Sequence, residues 1–467
     1  MTKETSLIKN TAIVTVGKIC TQLISFFLLP LYTALLTTEE YGVVDLLNTL
    51  INLIVPILIM QLDQGTFRYL IDCRDDEKKQ NQLLTVTMYF AISQIIIYTI
   101  FFFFINSWIH NEYKYFLLFN LIFSLLSSVL LQISRGVGDN SKYAMGSFLA
   151  GSSTVILNVF LIAVFRFGAY GMLFSSLIGN AICAIYIFFS LKLQRRIKRE
   201  FYSKDILIKL LKYSVPLIPN VISWWVITAS DRIIISFFMN LSANGIYSAA
   251  NKFSGVITTL YSVFNLTWTE SASINIESED RDTFFSKILD VVVRIFGSIC
   301  LLTISLMPFV FPIMINSKFQ NAYVQIPILI IATMFNILIS FYGSIYVAKK
   351  ITKEIAKTSI FAAIINIVIN CVFIKFIGLF AASLSTAIAY FSMLVYRSID
   401  SRKYVHLKID HTLVFSMIFV YVLCIVSYYL NIGLLNLFVA AISILYVLYI
   451  NKNNVIFILK LVKQKIS

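Results

Sequence analysis

Charge is scarce in this chain: only 13% of its 467 residues are Asp, Glu, Lys or Arg, against 59% hydrophobic residues. A soluble protein of this length needs far more polar surface to cover its core, so a mean hydropathy of +0.84 excludes an ordinary water-soluble globule. Histidine is scarcer still. His110, His406 and His411 stand in loops or near the ends of apolar runs, with no HExxH spacing, so metal catalysis has no signature. The six cysteines (Cys20, Cys73, Cys183, Cys300, Cys371, Cys424) form no CxxC or Cys/His cluster. Five lie inside apolar runs and read as small buried hydrophobes. GxxxxGK[ST], GxSxG and paired carboxylates in an extended loop are all missing. The polar loops, about twenty residues at the longest, are too short for an ATPase or glycosyltransferase domain. The chain therefore reads as a non-enzyme without a cofactor.

What is present is a succession of apolar runs, many of the roughly 20 residues that cross about 30 Å of hydrocarbon as a helix. Fourteen candidate spans lie near 11–36, 43–62, 83–106, 115–134, 144–165, 169–191, 213–239, 246–268, 288–315, 322–347, 355–374, 378–396, 412–430 and 433–450. The fold class is all-α and polytopic. The tightest pairs, joined at Arg166–Gly168, Lys375–Ile377 and Asn431–Ile432, are each compatible with two spans or with one re-entrant feature. The N-terminal run continues to Leu36 without a small-residue cleavage site, which marks a retained first span rather than a signal peptide.

The net charge of +15 invites a nucleic-acid reading, but the basic residues sit in short loops between spans. With the N-terminus inside, 30 of the 38 Lys and Arg fall on inside segments, and only Lys114, Arg166, Lys318 and Lys375 fall outside. That bias is the positive-inside rule, and it places both termini in the cytoplasm. The densest basic loop, from Lys192 through Arg195, Arg196, Lys198 and Arg199 to Lys212, reads as a topology anchor touching anionic lipid.

An internal repeat spans that loop. Leu35-Leu-Thr-Thr-Glu-Glu-Tyr-Gly42 corresponds to Met239-Asn-Leu-Ser-Ala-Asn-Gly245, with Asn48 falling on Asn251. Later, Asn158 falls near Asn370, and Gly168 to Ser175 on Gly378 to Ser385. Each half holds six spans starting from the same side, so the repeat is parallel. The expected organisation is an N-terminal lobe (1–200), a C-terminal lobe (201–410) and two appended spans (411–467), with a central cavity between lobes.

Four cations remain inside spans: Lys18, Arg232, Lys252 and Arg294. Such groups cost about 2.5–3.5 kcal/mol at the bilayer centre on insertion scales and usually face a cavity or a partner. The first two spans of each half also carry polar stripes at helical spacing. Lys18 and Gln22 lie on the first span, Asp45, Thr49 and Asn52 on the second, Asp231 on the seventh and Lys252 on the eighth. Lys18, Gln22, Asn52, Asp231, Arg232, Lys252 and Arg294 are the candidate substrate-binding residues. Asp231 has Lys252 on the next span as an alternative partner, and Arg294, four residues after Asp290, has a local one.

The run Asp231-Arg-Ile-Ile-Ile-Ser-Phe-Phe-Met-Asn-Leu-Ser-Ala-Asn-Gly-Ile-Tyr-Ser-Ala-Ala-Asn-Lys252-Phe strongly resembles the middle of the polysaccharide transporter family. These are the Wzx-type oligosaccharide flippases of the multidrug/oligosaccharidyl-lipid/polysaccharide (MOP) exporter superfamily. The opening, with Lys9-Asn-Thr, Phe27-Leu-Leu-Pro30-Leu-Tyr and Thr37-Thr-Glu-Glu-Tyr-Gly42, is similar to the same family. The resemblance implies two six-helix lobes around a cavity, with alternating access. Its implied cargo is a polyprenyl-pyrophosphate-linked oligosaccharide, moved from the inner to the outer leaflet of a bacterial cytoplasmic membrane for surface polysaccharide assembly. Membrane lipids, a polysaccharide polymerase and glycosyltransferases are the implied partners, and nucleic acid is not. A lipid II-type flippase, a multidrug exporter and a non-transport scaffold of a glycan assembly complex are the competing readings. A multidrug exporter favours an anionic, aromatic cavity, whereas the intramembrane charges here are mainly basic.

Overall fold

The computed structural model describes residues 26–108 and 111–452, which are helical apart from their connections. Contacts divide the chain into a first unit of residues 1–225 and a second of 226–467. The first unit runs α1 (Leu29–Leu35), α2 (Thr38–Leu58), α3 (Leu62–Asp72), α4 (Glu77–Ile105), α5 (Lys114–Gly136), α6 (Asn140–Asn158), α7 (Gly168–Ser190) and α8 (Lys204–Ser214). The next helix, α9 (Ile218–Phe238), runs from the end of the first unit into the second. There follow α10 (Leu241–Asn275), α11 (Arg281–Met314), α12 (Ile326–Ala348), α13 (Thr352–Ile377), α14 (Leu379–Asp400), α15 (His411–Leu430) and α16 (Gly433–Ile450).

Among the described residues, 12 helices are long and apolar enough to cross a membrane. The other two of the fourteen expected spans have simple explanations. The first begins outside the described residues, and the eighth lies within α10, whose Lys252 and many Ser, Thr and Asn residues lower its hydropathy. Large apolar side chains stand exposed along the spans, for example Phe104 at 79%, Phe237 at 80% and Leu434 at 83%. Such exposure is expected of a surface that meets lipid. This is a multi-pass membrane protein.

Each tight pair resolves into two helices. Arg166, Gly168, Gly378 and Asn431 take positive φ (59°, 54°, 57° and 51°), and the chain reverses at each of these turns. Gly168 and Gly378 occupy matching places in the repeat, and the left-handed conformation is the reason glycine recurs there. Gly168 lies against the Glu40 side chain and Gly378 against Met239, so the same turn meets the start of the second spanning helix in both units.

The repeated motif before Gly42 and Gly245 is a helix start. Thr37 and Glu40 form a capping box on α2: Glu40 N donates to Thr37 Oγ1 (3.1 Å) and Thr37 N to Glu40 Oε2 (2.8 Å). At the equivalent place, Asn240 Oδ1 accepts from Ala243 N (2.7 Å) and caps α10. Packing repeats as well. In the first unit α5 packs on α2, α4 and α7, and in the second α12 packs on α10, α11 and α14, so the fourth spanning helix is the central one in each. Its side chains are accordingly buried: Leu121, Leu125 and Ile133 in α5, and Ile339, Phe341 and Tyr346 in α12.

The sequence expectation is of lobes 1–200 and 201–410 with an appendix 411–467, and contacts group the chain as 1–225 and 226–467. α8 packs on α3 and α4 and belongs to the first unit, whereas α15 and α16 pack on α11 and belong to the second. The short helix α3 was not anticipated, and it buries Asp63 (5% exposed). Gln64 Nε2 donates to Asp63 Oδ2 (3.2 Å), and Oδ1 has no hydrogen-bond partner among the described residues. Burial raises the Asp63 carboxyl above the usual aspartate range. A carboxyl raised in the folded state gives stability that is present below its unfolded value and is lost as pH rises through the folded one. Asp63→Asn does not suffer that loss. Its Tm should exceed the parent's at neutral pH, with the gap closing in acid; a gap independent of pH in a Tm-versus-pH series would exclude this account.

Candidate functional site

A set of buried polar groups in the second unit converges on Asp231, in the middle of α9 and 3% exposed. Three side chains from three other helices donate to its carboxylate. Tyr247 Oη of α10 (2.8 Å) and Thr386 Oγ1 of α14 (2.7 Å) reach Oδ2, and Asn370 Nδ2 of α13 (2.8 Å) reaches Oδ1. A second tier lies beside it: Ser230 Oγ donates to Asn366 Oδ1 (3.2 Å), and Asn366 Nδ2 donates to Thr386 Oγ1 (3.0 Å). Bonds between helices inside a membrane are worth about 0.6–2 kcal/mol each, so this node pins four helices at one level. The pairing of Asp231 with Lys252 allowed by the sequence is not what forms. The carboxylate is satisfied by neutral donors, because Tyr247 is five residues before Lys252 and the two project from different faces of α10.

Arg232, next to Asp231, is half-buried, and its Nη1 donates to the Thr228 carbonyl one turn back (3.0 Å). Lys252 is likewise half-buried on α10. Both cations thus stand on the membrane-length helices that bring Asp231 and Tyr247 together. On α2, Asn52 is exposed and Asp45 half-buried. Lys18 and Gln22 lie outside the described residues.

Arg294 has a different fate from a free cationic contributor. Its Nε donates to Asp290 Oδ2 (2.7 Å), Nη1 to the Ile450 carbonyl (3.0 Å) and Nη2 to Asp410 Oδ2 (3.5 Å). It ties α11 to both appended helices, through the i,i+4 pair that its spacing from Asp290 made available.

The first unit holds a smaller counterpart of the Asp231 node. Asn158 Nδ2 at the end of α6 donates to Tyr32 Oη of α1 (2.9 Å), as Asn370 at the equivalent place in α13 donates to Asp231. The asparagine repeats, but its acceptor is a neutral phenol in one unit and a carboxylate in the other.

Sequence reasoning missed Tyr247, Asn366 and Thr386, which have no spacing signal because they come from three helices. It also counted Arg397 among loop charges, since the apolar run ends at residue 396. Arg397 is 1% exposed. Its Nε and Nη2 donate to Thr358 Oγ1 (3.1 and 2.9 Å) and Nη1 to the Ile339 carbonyl (3.0 Å), with the Tyr346 ring 5.9 Å away. A Cβ on Gly343 would lie 2.9 Å from Nη1, so the missing side chain makes room for the guanidinium. Arg397→Ala should cost about 3 kcal/mol or more in stability, and Arg397→Lys should fail to rescue it, because an ammonium cannot reproduce the fork. Melting in detergent checks this; full rescue by lysine would exclude the fork.

The family model for polysaccharide biosynthesis proteins matches residues 7–268, more than half of the chain. The chain belongs to this family. Two solved structures have the same fold. The inward closed conformation of the lipid II flippase MurJ aligns with TM-score 0.70 and 15% identity over 96% of this chain and 99% of that one. An inward-facing multidrug resistance MATE family transporter of the MOP superfamily aligns with TM-score 0.64 and 12% identity over 83% and 98%. No curated protein matches the sequence. A polysaccharide family, expected from the Asp231–Phe253 run and the opening motifs, is thereby upheld, and the fold is the one expected with it.

Proposed function

We propose that the protein is a flippase that carries a polyprenyl-pyrophosphate-linked oligosaccharide from the inner to the outer leaflet of a bacterial cytoplasmic membrane, for assembly of a surface polysaccharide. The observation that carries this reading is the pair Arg232 and Lys252, two half-buried cations on membrane-length helices that both contribute to the Asp231 node, in a chain of the polysaccharide biosynthesis family. A pyrophosphate and a sugar repeat do not cross hydrocarbon unaided. Arg232 and Lys252 supply charge-assisted hydrogen bonds to the phosphates, and the hydroxyl- and amide-bearing residues of α10 supply partners for sugar hydroxyls. The charge bias of the loops supports cytoplasmic termini. The polymerase and glycosyltransferases of the same assembly line are the partners this role requires.

Likeness of fold to a lipid II flippase supports a lipid-linked cargo, and it keeps a peptidoglycan precursor as the second reading. The two are separated by cargo. Purified protein in liposomes is given a fluorescent polyprenyl-pyrophosphate oligosaccharide or lipid II, and accessibility of the labelled sugar to an outside quencher is followed. Protein-dependent movement of the oligosaccharide lipid is expected. Movement of lipid II alone would transfer the assignment to the second reading, and movement of neither would sink both.

A further inference from the structure

The two appended helices do not close against the rest of their unit. α15 and α16 pack on α11, while α14 packs on α12, so a gap remains between α14 and α15 with α12 as its floor. The gap is an apolar slot of about 280 Å³, lined by Leu338 of α12, Leu289 and Val293 of α11, Leu394 of α14 and Leu413 of α15. Asp290 also lines it, as do the exposed Lys408 and Asp410. A cleft of about 470 Å³ with a more mixed lining adjoins it, sharing Asp410 and Leu413 and adding Arg294, Tyr446 and Lys452.

The charges that line slot and cleft are unequal. Arg294 is placed between Asp290 and Asp410, and Asp410 also caps α15 through Leu413 N (3.1 Å). Those two carboxylates are therefore engaged. Lys408 and Lys452 are exposed, and no carboxylate lies within ion-pair distance of either among the described residues. Three cations against two carboxylates leave a single net positive charge beside an apolar slot, at the ends of membrane-length helices.

Water is a poor occupant for such a slot, since it needs two to four polar partners. An acyl chain fits its apolar walls. Moving a chain from bilayer to slot exchanges one apolar environment for another, so selectivity must come from the headgroup. We propose that slot and cleft together bind one glycerophospholipid with a singly anionic headgroup, one chain in the slot and the phosphodiester at Lys408 and Lys452. The lipid then fills the seam between the appended helices and the lobe. This rests on the membrane spans and the local geometry, not on the cargo proposed above.

The test is native mass spectrometry of the full-length protein in mild detergent, titrated separately with phosphatidylglycerol, phosphatidylcholine and polyprenyl phosphate. One phosphatidylglycerol should be retained, in preference to phosphatidylcholine by about ten-fold. Leu394→Trp, which fills the slot, should remove that retention, while Phe419→Trp on the exposed face of α15 should not. The double variant Lys408→Gln/Lys452→Gln changes only exposed side chains, so it decides the matter even where Leu394→Trp does not fold. It should bind both phospholipids alike. Equal retention of the two by the parent protein would overturn the proposal, as would unchanged preference in the lysine variant. Displacement of phosphatidylglycerol by equimolar polyprenyl phosphate would overturn it too, by assigning the slot to the carrier lipid.

Discussion

Reversing either intramembrane cation, in Arg232→Glu or Lys252→Glu, should stop glycan export while the protein still reaches the membrane at its normal abundance. The size follows from electrostatics. A unit charge about 4 Å from a phosphate oxygen contributes roughly 4 kcal/mol at the effective dielectric of a protein site near water. Reversal turns that attraction into a repulsion, so a loss of about 1,000-fold or more is expected from each variant. Neutral Lys252→Gln forfeits the attraction without adding repulsion and should lose less than the reversal, about a hundred- to a thousand-fold. Lys252→Arg should retain most activity. The readouts are surface polysaccharide in cells deleted for the parent gene, membrane abundance of each variant, and the liposome quenching assay. Normal export by both reversal variants would end the cationic-site mechanism and leave a scaffold as the better account. A gain in efflux of organic cations would instead favour a multidrug exporter.

The fold was legible to the extent that its causes are local. Membrane thickness sets the length of apolar runs, and glycine at Gly168 and Gly378 and caps at Thr37 and Asn240 set turns and starts. These act over a few residues and so leave a trace in one dimension. Arg397 shows where that stops: apolarity ends at residue 396, but burial of the guanidinium depends on Gly343, Ile339 and Thr358 from two other helices. The site divides in the same way. Arg232, Lys252 and Asp231 were conspicuous because ionisable residues in membrane spans are costly. What Asp231 touches was not, because hydroxyls and amides such as Tyr247, Thr386 and Asn370 occur throughout the chain without marking their partners. Arg294 was visible for the same reason as Arg232, yet its acids and the Ile450 carbonyl draw it into holding α15 and α16.

Asp231 should separate anchoring from transport when two substitutions are compared. Asp231→Leu removes the acceptor for Tyr247, Thr386 and Asn370 at once, leaving three buried donors unpaired. Each costs about 1–3 kcal/mol unless it finds a new partner, so a net loss of about 3–5 kcal/mol and a sharp fall in abundance are expected. Asp231→Asn keeps the shape and one acceptor oxygen, and Tyr247 and Thr386 can rotate their hydroxyls toward it or toward Asn366. That variant should melt close to the parent protein. Its negative charge is gone, however, and the field around neighbouring Arg232 changes with it. An ionisable group kept at such depth, where three neutral donors already suffice to pack the helices, is expected to serve the transport cycle. Translocation by Asp231→Asn should therefore drop by about ten-fold or more at equal abundance. Melting temperature and translocation measured on the same preparation give the answer. Parent-like transport by a stable Asp231→Asn would reduce Asp231 to a structural acceptor, and Arg232 and Lys252 would then carry the site alone.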